Sequence, residues 1–156
     1  MLEFFQWCEA SGIGEAIRAS KWMFPVIESF HLLALAVIGG AVLLVNLRLC
    51  GLGIKSQPAS QLWLDARPWM QGSLVVMIIS GAMLFTSEAT KLYYHEAFWV
   101  KMVSLVLAIL FTYTVVRKVA SSDDSDVRPL WTKAVGVMSI ALWSLVGIGG
   151  RWIGFS

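Results

Sequence analysis

Charge is what this chain has least of. Lys, Arg, Asp and Glu make up 14% of its 156 residues, against 58% hydrophobic residues and a mean hydropathy of +0.72. A soluble domain has about a quarter of its residues charged and just under half apolar. One water-soluble core of this size cannot hide such an excess, so lipid must solvate much of the surface. Cysteine is scarce too: Cys8 and Cys50 form neither a metal-binding spacing nor a disulfide framework, and read as small apolar filler. The chain has no P-loop, no Gly-rich dinucleotide turn, no His-Glu-x-x-His and no Gly-x-Ser-x-Gly. A net charge of +2 is too mild to suggest nucleic acid as a partner. The first residues lack a basic n-region and a small-residue cleavage site, so no removable signal peptide is expected there.

What the chain does have is four long apolar runs. They predict an all-α fold, an integral membrane four-helix bundle forming one membrane domain over residues 1–156. Residues 1–19 mix Leu2, Phe5, Trp7, Ile13 and Ile17 with Glu3, Glu9, Glu15 and Arg18. They are too polar to span and predict an amphipathic helix lying in the interface, with a break at Gly12 and Gly14. The spans are expected at about 22–49, 68–87, 97–116 and 129–153. Gly51 and Gly53 stop the first, Pro68 opens the second as a first-turn residue, and Pro129 opens the fourth. A short interfacial helix through Trp63 is expected in the first linker, and an exposed loop from Ser121 to Asp126.

Lys and Arg orient the spans. Arg48, Lys55, Arg67, Arg117, Lys118, Arg128 and Lys133 flank one side; Arg18, Lys21, Lys91, Lys101 and Arg151 flank the other. The richer side is expected in the cytoplasm. Both termini are then expected to face outward, which for a protein of the bacterial inner membrane is the periplasm. Trp22, Trp69, Trp99, Trp131 and Trp152 read as interfacial anchors.

Ionisable groups inside spans are costly and mark function. Glu28, His31, Glu88, Lys101 and Arg151 all fall in the outward half. Helical phase places Glu28 and His31 with Gly39 and Asn46, and Glu88 with Gly81, Met77 and Ser73. It also aligns Lys101 with Ser104, Ala108 and Thr112, and Arg151 with Gly147 and Ser144. Four stripes of small and polar residues would converge on a polar pocket. Small residues such as Gly39, Gly40, Gly147, Gly149 and Gly150 suit close helix packing, within one chain or in a homo-oligomer. His31 is the residue that points beyond an ion-pair network: an imidazole in lipid needs a hydrogen-bond partner, a metal or a proton path. Haem in helical bundles is held by an inward histidine. His95, among Tyr93, Tyr94 and Glu96, reads as a surface histidine, and the dispersed methionines suit core filling better than copper(I).

The strings Pro25-Val26-Ile27-Glu28-Ser29-Phe30-His31 and Asn46-Leu47-Arg48-Leu49-Cys50-Gly51 carry a resemblance, as do Phe98-Trp99-Val100-Lys101 and Gly150-Arg151-Trp152-Ile153-Gly154-Phe155. They resemble a group of uncharacterised bacterial four-helix membrane proteins over most of the chain. In layout the chain is also similar to copper-resistance D-type proteins and to the HemJ-type protoporphyrinogen oxidase. The latter resemblance implies haem b, with a first-span histidine and a third-span lysine that His31 and Lys101 would match. This chain has no second histidine within a span and different linkers. The leading expectation is a haem b-binding, redox-active membrane protein. His31 and Lys101 would be the metal-site residues, with Arg151 and Glu28 also in the cofactor site and a quinone or other redox partner. The alternative is a non-enzymatic accessory, copper-handling or small-solute-handling protein whose polar cluster is structural or binds a small ligand.

Overall fold

Helix ends in this chain are set by a few residues whose backbone groups or side chains stop the ladder. The computed structural model describes residues 1–53, 56–122 and 129–153. Two short helices, α1 (Leu2–Glu9) and α2 (Gly12–Ala19), precede four long ones: α3 (Met23–Leu49), α4 (Ala59–Tyr93), α5 (Glu96–Ala120) and α6 (Pro129–Ile153). No strand occurs among the described residues. The four long helices are each apolar and long enough to cross a membrane. The protein is a multi-pass helical bundle. The expected loop from Ser121 to Asp126 lies mostly outside the described residues.

α3 ends at a glycine cap. Gly51 adopts φ 78°, which lets its N–H reach the Arg48 carbonyl (3.0 Å) and the Leu52 N–H reach back to the Leu47 carbonyl (2.8 Å). These bonds satisfy two carbonyls that the helix end would otherwise orphan. The buried face of α3 is His31, Ala34, Ile38, Ala41, Val42, Val45, Asn46 and Leu49.

α4 departs from expectation. It does not begin at Pro68: it starts after Pro58 and runs for 35 residues, with Pro68 inside it. Pro68 removes one ladder hydrogen bond, yet the only non-helical φ/ψ lies at Glu88. Packing explains the persistence, because Leu62, Trp63 and Ala66 are buried before the proline and Met70 and Ser73 after it. The short helix expected through Trp63 is therefore the first part of α4. Along this helix a small residue is buried at every seventh position: Ala59, Ala66, Ser73, Ser80 and Ser87. Such a repeat keeps one thin edge facing a neighbour and allows close, left-handed crossing. The serine hydroxyls donate to their own helix, Ser73 to Trp69 O (2.6 Å) and Ser80 to Val76 O (2.6 Å), so they present a small surface to the partner helix.

That partner is α3, which packs most extensively with α4, while α5 packs with α6 and α3 also meets α6. α4 and α5 share little contact. α5 widens to a π-helical turn at Thr112–Val116, where Thr112 Oγ1 accepts from Trp143 Nε1 (3.0 Å). No more than 33% of any span's apolar window is buried. The outward faces carry Leu32, Leu33, Val75, Ile78, Val103, Leu107, Val137 and Ile148, all exposed. An apolar exterior on this scale requires lipid around it.

The N-terminal segment is not a single helix lying free in the interface. It breaks at Ala10 and Ser11, just before Gly12, because Ser11 Oγ accepts from the Gly14 N–H (3.3 Å) and caps α2. The hairpin folds back onto the last turns of α4.

Candidate functional site

His31, on the buried face of α3, is 9% exposed, and its Nδ1 lies 2.9 Å from Ser80 Oγ of α4. The direction of this bond follows from proton counting. Ser80 has one hydroxyl proton, and it is committed to the Val76 and Met77 carbonyls at 2.6 and 3.3 Å. Ser80 therefore accepts, and His31 Nδ1 carries the proton. In a neutral ring the lone pair is then on Nε2. This is how a ligating histidine is held, with its other nitrogen donating to a fixed oxygen.

Glycine makes room for the ring. A Cβ on Gly81 would stand 3.1 Å from His31 Cε1 and 3.6 Å from Nδ1, so the imidazole lies against the bare backbone of α4. Across the bundle, Lys101 of α5 is accommodated in the same way by α6. A Cβ on Gly149 would stand 3.2 Å from Lys101 Cβ, and one on Gly150 3.3 Å from Nζ. Each of the two residues thus lies against small residues of a neighbouring helix, His31 against Ser80 and Gly81 of α4 and Lys101 against Gly149 and Gly150 of α6.

The family of unknown function DUF6644 matches residues 4–156. The chain is a member of the DUF6644 family. No curated protein and no solved structure matches it.

In this DUF6644 protein the other two residues expected at the site lie off the buried faces of their helices. Glu28 and Arg151 are both exposed. The helical wheel explains why: the buried stripe of α3 is centred roughly 80° from Glu28, and that of α6 roughly 120° from Arg151. Of the four expected stripes, that of α5 is buried at Ser104, Ala108 and Thr112, with Lys101 half-buried. On α6 the buried face is Val135, Gly136, Ser139, Trp143, Val146 and Gly149, with Ser144 exposed. Gly39, Gly40 and Gly147 have nothing within 4 Å of a Cβ position, so they are not close-packing contacts within the chain, whereas Gly81, Gly136, Gly149 and Gly150 are. His95 is half-buried at the start of α5, closing the α4–α5 turn.

A second polar contact lies further along the bundle. Asn46, 1% exposed, donates to Val42 O (2.8 Å) and to Ser139 Oγ (2.9 Å), joining α3 to α6. Asn46 Oδ1 has no hydrogen-bond partner. Among the described residues no group of three or more His, Cys, Asp or Glu could hold a metal ion. Ser80, the residue that orients His31, does not stand out in the sequence; its signal is the seven-residue spacing of small residues along α4.

Proposed function

We propose that this protein is a haem b-binding, redox-active protein of the bacterial inner membrane, with both termini on the periplasmic side. The observation that supports this reading is the His31–Ser80 bond, in which Nδ1 donates and the Nε2 lone pair is left available to a ligand. His31 would hold the haem iron, with Ser80 fixing its tautomer and ring plane. Gly81 leaves the ring its place against α4. Lys101 supplies positive charge at the same depth, suited to a propionate carboxylate. Haem, when bound, supplies one-electron chemistry. The chain's own residues orient the ligand, set the charge around it and keep bulk water out. A lipid-soluble carrier such as a quinone is the matching electron partner, since the exterior meets lipid on every span.

The test is an oxidised and a reduced absorption spectrum of the detergent-purified protein, expressed with haem supplied, with metal analysis of the same sample. A Soret band that shifts on reduction and near-stoichiometric iron are expected, lost in His31→Ala and kept in His95→Ala. A colourless, iron-free protein, or equal haem in both variants, defeats the reading. The packing of Lys101 along Gly149 and Gly150 favours a second reading, a non-enzymatic accessory or small-solute module in which Lys101 holds α5 to α6. Copper without a haem spectrum, or neither metal, would support it.

A further inference from the structure

The bundle end that holds His31 and Lys101 also holds a break in α4. Glu88 adopts φ −138° and ψ 32°, outside the helical region, and the helix resumes beyond it to Tyr93. A broken ladder releases backbone groups that must find other partners. The N-terminal hairpin supplies them. Arg18 Nη1 donates to Thr86 O (3.4 Å) and Ser87 O (3.1 Å), while its Nη2 donates to Glu9 O (2.8 Å). On the far side of the break the Thr90 N–H donates to Glu9 Oε2 (2.6 Å). One guanidinium and one carboxylate thus complete the backbone on the two sides of Glu88. Gly14 rests directly on the Thr86 carbonyl, where a Cβ would clash with backbone.

A second contact is apolar. Phe5 of α1 stands between α4 and α5, with ring centroids 5.2 Å from Phe85, 5.1 Å from Tyr93, 6.3 Å from Phe98 and 6.0 Å from Trp99. It fills the seam where the two spans share little contact. Phe5, Cys8, Gly14 and Ile17 form the hairpin's inner face, and Phe4, Trp7 and Ile13 are exposed on its outer face. The hairpin can therefore exchange its bundle contacts for lipid without stranding an apolar face in water. No disulfide ties it down, since Cys8 and Cys50 are both free.

We propose that the α1–α2 hairpin is a releasable strap: Phe5 closes the α4–α5 seam, Glu9 and Arg18 splice the break in α4, and release opens this end of the bundle to lipid while the four spans stay folded. The assignment is independent of whether haem is bound. Cys8 is the built-in reporter, because it lies on the strap's inner face at 9% exposure. In a Cys50→Ser background it is the sole thiol, and its alkylation by a water-soluble maleimide reads how often the strap lifts. In liposome-reconstituted protein the parent should label slowly. Arg18→Ala, which removes charge-assisted bonds to three carbonyls, should label on the order of tenfold faster or more. The milder Glu9→Gln should fall between them, with helical circular dichroism unchanged in all three. Equal rates in parent and Arg18→Ala would overturn the proposal. So would parent labelling as fast as in denatured protein. Loss of helical signal together with Cys8 protection in both variants would also overturn it, because the hairpin would then be one cooperative unit with the spans.

Discussion

Gly136 and Gly147 sit three turns apart on α6, and the same substitution should act on them in opposite directions. A Cβ on Gly136 would stand 2.8 Å from Asn46 O, 2.7 Å from Cys50 Sγ and 3.4 Å from Leu49 Cβ. The thiol can rotate away, but the carbonyl belongs to α3 and cannot. Alanine there forces α3 and α6 apart by several tenths of an ångström, straining the neighbouring 2.9 Å bond from Asn46 to Ser139. Overpacking of this kind costs about 1–3 kcal/mol, offset by up to about 1 kcal/mol of helix propensity when glycine becomes alanine. At Gly147 nothing lies within 4 Å, so only the propensity gain remains. The two variants should therefore differ by about 1–3 kcal/mol, with Gly136→Ala below the parent and Gly147→Ala at or above it. On the scale of soluble proteins this size, each kcal/mol moves Tm by about 2–4 °C. Tryptophan-fluorescence melts at one scan rate in one detergent would rank them, which suffices even if unfolding is irreversible. A Gly136→Ala protein melting with or above Gly147→Ala would refute the α3–α6 contact.

Other perturbations separate the polar contacts. Ser80→Ala leaves the His31 N–H without its hydroxyl acceptor and should cost about 1–2 kcal/mol in the same melts; the cost should shrink in a His31→Leu background, and an equal cost in both would contradict the pairing. Thr112→Val strips the buried acceptor from Trp143 Nε1–H and should cost about 1–3 kcal/mol, whereas adding Trp143→Phe should recover part of it. No recovery would mean that the indole finds another acceptor. The Glu9 carboxyl is held below its usual range by the Thr90 hydroxyl, then by the Thr90 N–H, against opposing desolvation, with Arg18 adding a smaller effect. A depressed folded-state pKa contributes stability that is present above the unfolded value of about 4.5 and lost as pH falls through the folded value. Cys8 protection should therefore hold at neutral pH and weaken in acid below about pH 4.5, and Glu9→Gln should flatten that dependence. An identical acid profile in Glu9→Gln would remove Glu9 from the clamp.

The spans were legible because an apolar run of about twenty residues matches the thickness of the hydrocarbon layer and is hard to cover in a small soluble fold, and Pro129 and Gly51 mark two of the helix ends. Pro68 misled because local chemistry favours a helix start there, while burial of Trp63 and Ala66 on the same side as Met70 carries the helix straight through. The Lys101 stripe was readable, since every member is small or polar on one face. The stripes drawn through Glu28 and Arg151 followed polarity. In lipid, however, the buried face is defined by residue size as much as by polarity: Ala34, Ile38 and Val45 mark it on α3. The hairpin's clamp was not readable, because nothing in Glu88 announces a break and Glu9 and Arg18 are distant from it in sequence.

The seven-residue repeat on α4 also makes the chain intolerant of one kind of change. Deleting or inserting one residue between Ala59 and Ser87 would turn everything beyond it by about 100°. Bulky Leu74 (after a deletion) or Ile79 (after an insertion) would then face α3 where a serine stood, and Ser80 would leave His31. Inserting a whole heptad would keep every contact in phase and lengthen the rod by about 10 Å. Length variation within this helix should therefore come in sevens.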